Sequence, residues 1–375
     1  MPEAGPGEVR TLRLQIRQDM PPLIQKRKQH YPVSPFLLQY LQHFGRRSDI
    51  PLVYDDLLRF SEAIPYENPD GEETLWLTVF HSQELLAELR PKLTRIYAML
   101  KIGGDMSLAE HLRVERIDFG EFGNSRPFRI RITNQFNGNS DYYYVKIADA
   151  NRIYGLELEH ILSPNRINYL VNGNTLIEEH IAGVPGNIFI KDYLGRPILN
   201  QVRVAKEFVK FGERAFLRLL GDMRSVNYVV DITPDFEEVQ YRVRPIDFDQ
   251  QCYEGALRVY RAHYFPDNKP VDELVREHLN PTTILQYRSE ERTQMARRFR
   301  ASRTRIKGIL RTMRKDTIAP SEHLVELRTA LGGRYGTKAF ESCETMGELT
   351  SRHLLFMLED GGNQGGAQAG SGMSP

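Results

Sequence analysis

"YYYVKIADANRIYGLELEHIL", Tyr142–Leu162, changes its period midway, from that of a strand to that of a helix. The first half is an aromatic and β-branched run that reads as a strand, and "ANRIYGLELEHIL" reads as a helix. One lysine, Lys146, interrupts the strand's apolar neighbours. An ammonium there must be paired inside, snorkel to water, or mark a solvent-facing strand position. On either side, "RVERIDFGEFG" (113–123), "FRIRITNQF" (128–136), "INYLV" (167–171) and "TLIEEHI" (175–181) are further short runs of strand character. "NGNS" at 137–140 and "NGN" at 172–174 are hairpin turn signals. The region predicts an antiparallel sheet of about five strands, interrupted by one helix.

On the N-terminal side, "SPFLLQYLQHF" (34–44), "VYDDLLRFSEAI" (53–64) and "HSQELLAELRPKLTRIYAMLKI" (81–102) place apolar residues three and four apart. With "IPYENPDGEE" as a loop between them, residues 1–108 read as an N-terminal helical extension. Residues 109–183 are then the sheet unit. Helical periodicity returns in "NQVRVAKEFVKFGERAFLRLL" (200–220), and 184–358 reads as a helical unit carrying one hairpin. The Gly, Ser and Gln content of "EDGGNQGGAQAGSGMSP" predicts a disordered tail over 359–375. The fold class expected is α+β.

Composition narrows the partners. The chain has 375 residues, 41% of them hydrophobic, and a net charge of +1, so the whole-molecule field draws in neither nucleic acid nor an anionic membrane. No apolar run approaches the ~20 residues needed to cross a bilayer. Cys252 and Cys343 lack metal-ligand spacing and are too few for a disulfide framework. With no apolar leader in "MPEAGPGEVRTLRLQIRQDMPP", the expected location is cytoplasmic. Arg288–Lys315 holds eleven Arg and Lys against two Glu. Its near lack of stacking aromatics favours a solvated helix face over nucleic-acid binding.

Chemistry gathers in "GDMRSVN" (221–227) and "IDFDQ" (246–250). Asp222 and Asn227 stand before one strand of a hairpin, and Asp247 closes the other. An Asp followed five residues later by Asn is common by chance, and Asp often serves only as a turn former. The weight comes from the surrounding helix, strand, turn and strand.

Taken in order, these residues resemble the protein kinase-like superfamily, and more closely its aminoglycoside and choline phosphotransferase branch, over roughly Arg113–Gly255. The resemblance implies a two-lobed kinase-like fold and an ATP- and magnesium-dependent phosphotransferase acting on a hydroxyl acceptor, a small molecule rather than a protein. It implies that Asp222 orients the acceptor hydroxyl and that Asn227 and Asp247 bind magnesium. Lys146, paired with Glu157, would hold the nucleotide phosphates, with Gly120 and Gly123 in the covering loop. "LIEEHIAG" (176–183), with Glu178 and Glu179, looks like the hinge whose backbone meets adenine.

The sequence departs from the family pattern at four points. Leu220 replaces the usual loop His, Asp249 replaces the Gly of "DFG", the glycine loop has two glycines, and no long activation segment follows Asp247. The choline phosphotransferase branch tolerates an acid at the position of Asp249, which would add a metal ligand. A catalytically inactive nucleotide- or partner-binding module of the same fold is therefore the second reading.

Overall fold

The computed structural model describes residues 28–360, apart from 69, 70, 72, 102, 105, 108 and 236–238. The expectations for the first 27 residues, and for the tail from 361 onward, lie outside the described residues. In chain order the first elements are α1 (Pro35–His43), α2 (Tyr54–Leu57), β1 (Glu62–Glu67), β2 (Glu73–Phe80) and α3 (Gln83–Lys101). Then come β3 (Leu112–Gly120), β4 (Phe128–Asn134), β5 (Ser140–Ile147), α4 (Ala150–Leu162), β6 (Tyr169–Asn172) and β7 (Thr175–Glu179).

The α+β class holds, with an antiparallel sheet of seven strands, ordered β1-β2-β3-β4-β5-β7-β6, instead of five. The two extra strands come from the region read as helix and loop. There "VYDDLLRFSEAI" keeps its helix only over α2, and the chain then pairs β1 with β2. The physical reason lies in "ETLWLTVF", whose bulky aromatic and β-branched side chains suit a pleated surface. Pro65 is tolerated because β1 is an edge strand.

One face of the sheet is apolar. Ile117, Ile130, Tyr143, Val145 and Ile177 pack with Leu85, Leu89, Leu93, Ile96 and Leu100 of α3 in one buried core. Those α3 positions are spaced by three and four, which places them on one side of the helix. Each fully buried Leu or Ile contributes roughly 1.5–3 kcal/mol. The opposite face is polar: Thr78, Asp118, Arg129, Tyr144 and Glu178 are directly paired, strand by strand, in a single row.

Beyond Glu179 the chain forms β8 (Val184–Pro185), α5 (Gly186–Asp192), α6 (Gln201–Arg218), β9 (Tyr228–Pro234) and β10 (Val239–Pro245). It continues through α7 (Lys269–His278), α8 (Pro281–Ala301), α9 (Arg303–Arg314), α10 (Ser321–Tyr335) and α11 (Met346–Leu355). A second apolar core unites these helices with α1 and α4, and β8, β9 and β10 form a small antiparallel sheet. Among the described residues, no helix is long and apolar enough to cross a membrane.

Candidate functional site

Strand register aims Lys146 at the polar side of the large sheet. Lys146 pairs across to Leu176, and Glu178 lies two residues along on the same face of β7. Lys146 Nζ donates to Glu178 Oε2 at 2.5 Å, both side chains being buried. The expected ion pair between Lys146 and Glu157 is therefore not formed. Glu157 is fully buried elsewhere, accepting from Tyr40 Oη and Tyr169 Oη at 2.6 Å each and from Arg305 Nε at 2.6 Å. The neighbouring Glu159 is ion-paired with Arg218. Both acids sit more than a turn beyond the start of α4, on faces turned toward the helical half.

The first turn of α4 reaches the site with a different residue. Asp149 caps the helix by accepting from the Asn151 and Arg152 N–H groups, and Lys28 holds that carboxylate at 2.8 and 2.9 Å. Arg152 then spans three acids: Nη1 donates to Glu178 at 3.1 Å, Nη2 to Asp247 at 2.6 Å and Nε to Asp249 at 2.7 Å. One turn on, a Cβ on Gly155 would lie 2.8 Å from Phe248 Cβ. Only glycine lets α4 approach the "IDFDQ" segment this closely.

The helical half supplies the rest. The N–H of Ile246 donates to the Asn227 carbonyl at 3.0 Å, which sets Asp247 beside Asn227. Asn227 Nδ2 donates to the Asp222 carbonyl at 2.7 Å and to its Oδ2 at 3.1 Å. Arg224 bonds the Asp222 carboxylate through two N–H groups at 2.7 Å each. The four non-glycine residues with left-handed φ among the described residues are Arg126, Leu219, Asp222 and Cys252. Arg126 lies in the loop between β3 and β4, and the other three lie on or beside the segments carrying Asp222 and Asp247, so unusual backbone concentrates around the site.

Two cations, Lys146 and Arg152, face three carboxylates, Glu178, Asp247 and Asp249. Burial, with the charge of Asp249, pushes Asp247 up to about 6 against the pull of Arg152 and Lys146. Burial also works against ionised Asp249, but the adjacent Arg152 overcomes it and holds that carboxyl below its ordinary value. Lys146 is lowered by burial and by Arg152, with Glu178 and Asp247 opposing. Asp247 keeps 35% of its side chain exposed. Among the described residues its Oδ2 and the Oδ1 of Asn227 carry no hydrogen bond.

Gly120 sits where a Cβ would lie 2.8 Å from the Phe122 ring, and Gly123 has φ +76° with open space around it. Their loop folds back so that Ser125 O accepts from Ile147 N at 3.1 Å. Glu179 is turned away from Lys146, its Oε1 accepting from Asn168 N at 2.6 Å and its Oε2 lying 3.7 Å from Lys101. Sequence reading missed Arg152, Arg224 and the side-chain role of Glu178. The signal for Arg152 was a basic residue in a helix's first turn, where the macrodipole favours acids.

Among the described residues, no cluster of three or more His, Cys, Asp or Glu is arranged to hold a metal by itself. No family model matches the chain, and no curated protein matches it.

Proposed function

We propose that this chain is an ATP- and magnesium-dependent phosphotransferase of two-lobed kinase-like fold, acting on a hydroxyl acceptor. The observation that carries this reading is the convergence of Lys146, Asp222, Asn227 and Asp247, from two separate parts of the chain, around one anion-and-cation site. When bound, magnesium ATP supplies the transferable phosphoryl group and the neutralising cation.

The residues fit that pair of ligands. Asp247 Oδ2 and Asn227 Oδ1 are the uncommitted oxygens for magnesium, and the network's one excess negative charge welcomes a cation. Lys146, held on the polar face of the sheet by Glu178, offers its ammonium to phosphate oxygens. Among the described residues no backbone hydrogen bond involves His180, Ile181 or Ala182 just past β7, which leaves N–H and C=O groups there to pair with a base edge. Asp222 orients the acceptor hydroxyl and takes its proton as the new P–O bond forms and ADP leaves. A small acceptor suits the short chain between Asp249 and the next helical turns.

A second reading is a nucleotide-binding module without turnover. It is favoured by Arg152 and Arg224, which already occupy carboxylate oxygens of Asp247 and Asp222. Thermal-shift titration with ATP, with and without magnesium, tests binding, and ATP consumption over a panel of small hydroxyl acceptors tests chemistry. Magnesium-dependent stabilisation followed by acceptor-dependent ADP release is the expected result. No stabilisation at millimolar nucleotide would overturn both readings.

A further inference from the structure

Residues 28–31 cross the start of α4 without forming helix or strand, yet they are fastened there at several points. Lys28 Nζ donates to both oxygens of Asp149, at 2.9 and 2.8 Å, and its side chain is only 1% exposed. Tyr31 N donates to the same carboxylate at 3.0 Å, and Ala150 N donates back to Tyr31 O at 2.8 Å. A ring nitrogen of His30 lies 2.9 Å from Ala148 O. The Lys28 ammonium also faces two rings, 5.6 Å from the Tyr31 centroid and 5.3 Å from that of Tyr253.

Both groups that Lys28 joins lie one step from Arg152. Asp149 caps α4 and accepts from the Arg152 N–H at 3.4 Å, so its position sets where the first turn of the helix begins. Tyr253 follows Asp249 by four residues, and Asp249 accepts from Arg152 Nε at 2.7 Å. The Arg152 guanidinium in turn holds Asp247 Oδ1 at 2.6 Å, which leaves Oδ2 as the oxygen available to a cation.

We propose that Lys28 is a positioning residue for the magnesium nucleotide site: by clamping Asp149 beside Tyr253 it holds the first turn of α4 where Arg152 can fix the Asp247 carboxylate. Resting on the nucleotide reading above, this assignment makes magnesium binding depend on the docked segment 28–31. A role as plain charge has the opposite sign. Burial works against ionised Asp249, and the charges of Arg152, then Lys28 and Lys146, overcome it. Removing one of those cations would, by charge alone, make the site more attractive to magnesium. Loss of position makes it less so, because Asp247 and Asn227 no longer present their oxygens together.

Isothermal titration of the full chain with ATP at a series of magnesium concentrations tests it, with urea unfolding run alongside. Lys28→Met and Asp149→Asn should each raise the magnesium concentration that half-restores ATP affinity, by roughly tenfold. The double variant should sit at the same raised value, since both changes break one clamp; charge alone would return it to the parent's. Lys28→Arg, which keeps a cation beside Asp149, should recover most of the loss. Asp149→Asn keeps a capping oxygen for α4, so the test survives if Lys28→Met does not fold. A magnesium requirement that stays at the parent's value in the variants, whatever their stability, overturns the proposal and leaves the nucleotide reading standing. So does a lowered requirement in Lys28→Met, and so do single effects that multiply in the double variant. A parent chain with no magnesium-dependent ATP binding overturns the nucleotide reading and this assignment with it.

Discussion

Arg152 Nη2 lies 2.6 Å from Asp247 Oδ1, and the same guanidinium also bonds Asp249 and Glu178. One buried cation thus joins the start of α4, the sheet and the segment after β10. Removing it leaves three acids facing Lys146 alone. Arg152→Gln should lower stability by roughly 3–5 kcal/mol in urea unfolding, the cost of stranding buried charge. Magnesium at millimolar concentration should recover part of that loss if Asp247 is a metal ligand. A variant as stable as the parent would show that the network carries no net energy.

Asp247 and Asp222 should separate binding from turnover. In Asp247→Asn the magnesium-dependent part of ATP affinity should fall at least about tenfold, because a charged ligand becomes neutral. In Asp222→Asn nucleotide affinity should stay within about threefold while acceptor-dependent turnover is lost. Equal affinity in Asp247→Asn and parent removes the metal assignment. Because burial pushes Asp247 up to about 6, protonation should begin to weaken magnesium-dependent binding as pH falls through 6. Titrations between pH 7.5 and 5 measure that directly.

Much of the sheet was legible because its strands are local and bounded by Asn-Gly turns. The register that sets Lys146 opposite Leu176 follows from the β6–β7 hairpin folding back beside β5. The β1–β2 hairpin was not legible, since a few residues of helical period at 54–57 masked the strand pattern that follows. That Asp222, Asn227 and Asp247 become neighbours was legible because the β9–β10 hairpin brings the ends of its two strands together. The partner of Lys146 was missed because it depends on side-chain direction. Glu157 satisfied the helix-partner pattern in sequence, but α4 turns it toward Tyr40, Tyr169 and Arg305, while Glu178 lies across the strand.

Glu157 should accordingly behave as a structural acid. It is surrounded by two tyrosine hydroxyls and Arg305, with Arg46 Nε 3.8 Å away. Burial works against its charge, yet the bonds from Arg305 and the tyrosines hold its pKa below the ordinary value. Glu157→Gln should cost roughly 3 kcal/mol in denaturant unfolding, and the folded variant should bind ATP like the parent. A selective loss of nucleotide affinity with unchanged stability would restore Glu157 to the site.

His353 provides a pH test of the helical core. It is fully buried against Phe216, with the Tyr335 hydroxyl 3.3 Å from its Nε2. Burial, aided by the charges of Arg334 and Arg292, pushes its pKa from 6.5 down to about 3. The unfolded chain takes up a proton at this position below pH 6.5, while the folded chain refuses it until near pH 3. Its contribution to stability is complete above pH 6.5 and is lost as pH falls toward 3, by roughly 1.4 kcal/mol per pH unit. By pH 5 the parent should have lost about 2 kcal/mol from this residue. His353→Phe, which keeps an aromatic ring in place, should flatten that part of the slope. His160 and His263, each pushed down to about 4, add the same sign in both proteins and cancel in the difference. Parallel urea titrations at pH 7.5, 6 and 5 measure it, and identical pH dependence in parent and variant would mean that His353 takes up its proton as readily in the folded chain as in the unfolded one.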